Sequence, residues 1–110
     1  MTLQSLPTEI YDASLQLLQQ NQLIRRLQQQ VAAYEAEVAA AVAFDSDLKN
    51  EAQRKAQSTE LLNHPDHQRT LDELQAARDR AVHIEIHLTY LNNLFKVECL
   101  LAQQSIARVA

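Results

Sequence analysis

The residues best able to do chemistry are two histidines, His83 and His87, in the segment His-Ile-Glu-Ile-His. Four residues apart on a helix they share a face, and such an imidazole pair holds zinc when a third ligand arrives from elsewhere. A metalloprotease helix needs His-Glu-x-x-His, with the glutamate placed as general base. Here Glu85 falls on another face and no downstream ligand follows, so the pair is read as neighbours on a partly buried face, without metal. His64 and His67 flank Pro65-Asp66, where a capping or solvated role is expected. Glu35 and Glu37 point to different faces, and Asp45 and Asp47 fit a helix start. A di-iron bundle repeats Glu-x-x-His, a motif this chain does not contain. The single cysteine, Cys99, sits among Val97, Leu100 and Leu101 and reads as a small buried hydrophobe. No glycine is present, which removes P-loops and dinucleotide fingerprints together. The expectation is a chain that is not an enzyme, with no catalytic residue, no metal and no cofactor.

The elements that would position any site are helices. Without glycine, the positive-φ turns of β-hairpins and the glycine C-caps are lost. Three tyrosines and two phenylalanines are the only aromatics, and the abundant Ala, Leu, Gln, Glu and Arg are good helix formers. A first helix is predicted over about residues 9–43, with Thr8 as its N-cap and Asp12 complementing the dipole. Its apolar residues form a heptad seam: Ile10, Leu17, Ile24, Val31 and Val38 in one row, and Leu6, Ala13, Leu27, Tyr34, Ala41 and Leu48 in the other. Gln20 interrupts that seam as a polar intruder of the kind that fixes register. The pattern falters at Phe44-Asp45-Ser46-Asp47, where Asp45 and Ser46 are both N-cap residues. A kink or break is placed at 44–46 and a helix at about 47–63; one long helix from 9 to 63 is the alternative. Asn63-His64-Pro65-Asp66 is a turn, because the residue before a proline is driven out of the α region. With Asp66 as cap, a last helix runs over about residues 66–108, roughly 42 residues or ~60 Å. The fold class is therefore all-α in a single domain, an elongated antiparallel helical hairpin or three-helix bundle with coiled-coil-like seams.

The formal net charge is −4, and the basic residues are interleaved with acids rather than gathered into the stripe that phosphate binding favours. Lys49, Arg54 and Lys55 are the best candidates for nucleic-acid contact, with Asp47 and Glu51 beside them. The run Asp47-Leu48-Lys49-Asn50-Glu51-Ala52-Gln53-Arg54-Lys55-Ala56 resembles a stretch of small helical proteins from phages and other mobile elements. Those proteins continue with a marked turn and a long helix carrying a pattern like Glu85-Ile86-His87-Leu88-x-Tyr90-Leu91 and then Phe95. The resemblance covers about residues 44–100. It implies an all-helical protein without assigned activity, in a group some of whose members accompany DNA-recombination genes, and it brings no site residue.

The last helix carries the most informative pattern. One seam runs Leu74, Ala77, Ala81, Ile84, Leu88, Leu91, Phe95 and Ala102, suited to packing on the first helix. Off that seam lie Val82, Ile86, Tyr90, Leu94, Val97, Leu100 and Leu101. A helix that is apolar most of the way round is buried on more than one side. Val82, Ile86, Tyr90, Leu94, Val97 and Leu101 are thus the expected interface with a second copy. A homodimer is expected, a tetramer is the larger alternative, and another protein is a further possible partner. The opening Met-Thr-Leu-Gln-Ser-Leu-Pro has neither the basic nor the apolar stretch of a signal peptide. No apolar run approaches the ~18 residues of a membrane span. The expectation is a cytoplasmic protein without membrane contact.

Overall fold

The computed structural model describes residues 2–109. Three helices make up the fold: α1 (Leu6–Ala43), α2 (Glu51–Leu62) and α3 (Pro65–Val109). No strand occurs among the described residues, so the chain is all-α.

Each helix begins where side chains can satisfy its first amides, and these places differ from those expected. α1 starts upstream of Thr8 because Thr2 and Ser5 build a turn. The Ser5 and Leu6 amides donate to the Thr2 carbonyl at 3.1 and 3.0 Å, and the Thr2 amide donates to Ser5 Oγ at 2.9 Å. Pro7 then lies in the first turn, where no backbone N–H is needed. After Ala43 the helix stops, but Asp45 and Ser46 do not start the next one. Asp45 Oδ1 instead accepts from the Asp47 amide at 2.9 Å, closing a local turn of the type that competes with helix. The true N-cap is Asn50, with extended backbone (φ −148°, ψ 168°) and its side chain accepting from the Gln53 amide. Gln53 Oε1 reaches back to the Lys49 amide at 2.7 Å, a near-reciprocal arrangement akin to a capping box. α2 therefore begins at Glu51 rather than about residue 47. The cap of α3 is His64, not Asp66: its Nδ1 accepts the Asp66 amide at 3.1 Å, and its carbonyl accepts from the Gln68 amide at 3.0 Å. Pro65 occupies the first helical position, and Asp66 complements the dipole from the first turn.

The helices pack as two compact units. In the first (Met1–Asn21 with Arg78–Ala110), α1 and α3 run antiparallel around Leu6, Ala13 and Leu91, with Ile10, Leu88, Leu94 and Phe95 partly buried against them. Here the polar intruder Gln20 is matched, its Oε1 accepting from Arg80 Nε at 3.2 Å. In the second (Gln22–Ala77), Leu27, Leu74 and Ala77 form the core, flanked by Leu23, Ile24 and Val31. The alanines at 77 and 81 are buried, their small side chains suiting a close seam. Near the end of α1 the seam departs from a strict heptad. Val42 is buried and the expected Ala41 is exposed. A seven-residue repeat drifts by ~20° per heptad on a straight helix, and by the fifth repeat the neighbouring position faces inward.

α2 has no buried residue and is held largely by its C-terminal end. The Tyr34 hydroxyl donates to the Leu61 carbonyl, and Gln68 Nε2 donates to the Leu62 carbonyl at 3.0 Å. The Tyr34 ring also lies 4.6 Å from that of His67, the one buried polar side chain among the described residues. Replacing Tyr34 with Phe keeps the ring contact and deletes the donor. Leu61 still accepts from the His64 amide, so no carbonyl is orphaned and the expected loss in urea unfolding is about 1 kcal/mol.

Candidate functional site

Five apolar side chains project from α3 of the first unit: Val82 (52% exposed), Ile86 (63%), Tyr90 (54%), Val97 (50%) and Leu101 (52%). Leu100 joins them at 58%. At about 100° per residue they cover an arc of ~100°, centred on the side of the helix away from Ala81, Leu88, Leu91 and Phe95. α3 thus has two apolar faces. One packs against α1, and roughly half of each side chain on the other remains in water. This exposed apolar face is the candidate site of the chain.

Of the six residues expected at this interface, Leu94 differs in burial from the other five. It is partly buried against Leu6, Ala13 and Leu91, because its position on the helix falls at the border between the two faces. A second, shorter stripe was not anticipated: Tyr11, Leu15 and Leu18 on α1 are 66%, 40% and 51% exposed. Their i, i+4, i+7 spacing was visible, but they lie off the heptad seam that drew the reading.

The residues that could do chemistry are not drawn together. His83 and His87 are exposed, and His87 stacks on Tyr90 with centroids 6.4 Å apart. Among the described residues no group of three or more His, Cys, Asp or Glu is arranged to hold a metal. Glu9 Oε2 is a buried atom without a hydrogen-bond partner. Cys99 is a free, half-buried thiol. Open clefts occur among the described residues. One, of about 290 Å³, is lined by Gln30, Tyr34, His64, Asp66, His67 and Thr70 in the second unit. Another, of about 410 Å³ in the first unit, is lined by Gln16, Gln19, Gln20, Arg80, His83 and Ile84. The sequence missed the burial of His67, because nothing local distinguishes a histidine that faces Tyr34 from a solvated one.

The candidate nucleic-acid residues lie at the start of α2. Arg54 Nη1 is 3.5 Å from Glu51 Oε1 across an exposed i, i+3 pair, an interaction worth little in water. Lys49 precedes the helix and Lys55 is exposed on it, about 100° from Arg54. The three make no continuous stripe.

No known protein family, curated protein or solved structure matches this chain. No helix among the described residues is long and apolar enough to cross a membrane.

The two kinds of apolar residue on α3 separate by mutation. Leu94→Ala is expected to lower unfolding stability by about 2 kcal/mol or more. Ile86→Ala is expected to stay within about 0.5 kcal/mol of the parent under dilute conditions. Equal losses would show that Ile86 is covered within the chain.

Proposed function

We propose that the protein is a non-enzymatic, self-associating helical scaffold. It joins a second copy through the outer face of α3 between Val82 and Leu101, and offers its remaining surface to another protein. The observation that supports this reading is the second apolar face of α3. Since each of its side chains is already about half covered, completing the burial contributes about 1 kcal/mol per residue. Five residues from each of two copies give on the order of 10 kcal/mol gross. Lost rigid-body freedom and side-chain ordering cost about 4–15 kcal/mol. The balance describes a concentration-dependent dimer rather than an obligate one.

Light scattering coupled to size exclusion tests this. The parent is expected to approach twice the chain mass as concentration rises. Ile86→Glu/Val97→Glu is expected to stay at chain mass with unchanged helix content, because both side chains are half exposed or more. A parent that remains at chain mass throughout would remove the proposal.

A second reading is an accessory factor of phage or mobile-element DNA metabolism. It rests on the resemblance of residues 44–100 and on the exposure of Lys49 and Lys55. Weak binding to labelled duplex DNA at about 50 mM salt, lost on raising the salt, is its expected signature. No shift at that salt would retire it.

A further inference from the structure

The outer face of α3 has an internal symmetry. With the exposed Leu100 beside it, one line on this face passes through Val82, Ile86, Tyr90, Asn93, Val97 and Leu101. The steps between them are four, four, three, four and four, the same read in either direction. We infer that two copies pair antiparallel along this face, about a two-fold axis that passes between the two helices at the level of Leu91 and Asn92. This rests on the self-association proposed above and specifies its geometry.

An isologous contact requires that residue i meet j while j meets i. Turning α3 about the 91/92 midpoint sets Val82 against the second copy's position 101, Ile86 against its position 97 and Tyr90 against its position 93. Every exposed apolar residue on the line is opposed by an apolar one, except at the centre. There the Tyr90 hydroxyl faces a carboxamide, with which it can exchange a hydrogen bond. Asn93, the one polar residue on the line, is therefore matched in this register. A parallel pair would set asparagine against asparagine and leave both tyrosine hydroxyls beside each other.

The ends of the face carry opposite charges. At about 100° per residue, Asp79 and Arg108 lie on the same line as the apolar positions and bound it. Both are exposed. Antiparallel pairing brings Asp79 of one copy toward Arg108 of the other. Arg108 lies one turn beyond the position opposite Asp79, a gap its long side chain spans. Parallel pairing would place acid beside acid and base beside base, which is unfavourable. Charge complementarity and the palindromic spacing select the same orientation, and both select a second copy of this chain as the occupant.

Cysteine cross-linking distinguishes the arrangements, in full-length chains with Cys99→Ala to remove the native thiol. Three variants are oxidised with copper phenanthroline: Ile86→Cys, Val97→Cys and the double variant. Antiparallel pairing in this register predicts that the double variant runs as a covalent dimer under non-reducing conditions. Each single variant then stays at chain mass, because its two sulfurs are held 11 residues, or about 16 Å, apart along the axis. A disulfide needs Cα atoms within about 7 Å. Covalent dimers from the single variants would overturn the antiparallel register while leaving self-association standing. Absence of cross-links together with a solution mass of one chain would overturn self-association itself. Absence of cross-links with a solution mass of two chains would place the contact on another surface, and that also refutes the inference.

Discussion

A chain without glycine has no inexpensive route through the left-handed region of backbone space, and no described residue enters it. Most of this fold follows from that constraint. Helix ends ordinarily closed by a left-handed residue are closed instead by right-handed backbone turns and by side chains. At the junction of α2 and α3 those side chains come from elsewhere. Tyr34 reaches the Leu61 carbonyl from α1, and Gln68 reaches the Leu62 carbonyl from the first turns of α3. His64 serves both directions, with its amide donating to the Leu61 carbonyl and its ring and carbonyl starting α3. The turn is thus stabilised by tertiary contacts, and its geometry is coupled to the seam between α1 and α3.

That seam divides the labour of α3. Small residues at Ala77 and Ala81 and a fully buried Leu91 close the chain on itself. The pair Gln20 and Arg80 adds a polar contact between the two helices. The opposite face contributes little to the stability of the single chain, because its side chains stay half wet. Magnitude decides what such a face is for. Isolated exposed hydrophobics are ordinary on protein surfaces, whereas five along one line of one helix, bounded by an acid and a base, form a patterned surface.

The seams were legible in the sequence because a core leaves a period. Leu6, Ala13, Leu27, Leu74, Ala81 and Leu91 announce themselves by spacing alone, and so do Ile86 and Val97 on the other side. What was hidden depended on choices between equals. Asp45, Ser46 and Asn50 are all good caps, and only Asn50 has a glutamine three residues on that can reach back. Leu94 sits between two faces, where periodicity assigns it to either. Val42 overtook Ala41 because a straight helix turns slightly less per residue than a strict heptad requires. His67 is buried for the sake of a tyrosine far away in sequence, a pairing that no local window contains.

The lack of any buried residue in α2 carries an evolutionary consequence. Its exposed positions can be exchanged as long as Asn50, Gln53, the half-buried Leu61 and Leu62 and the backbone carbonyls at its end are kept. Drift would therefore accumulate in α2 while the seams of α1 and α3 stay fixed. A related chain could present a different set of charges there without altering how it folds.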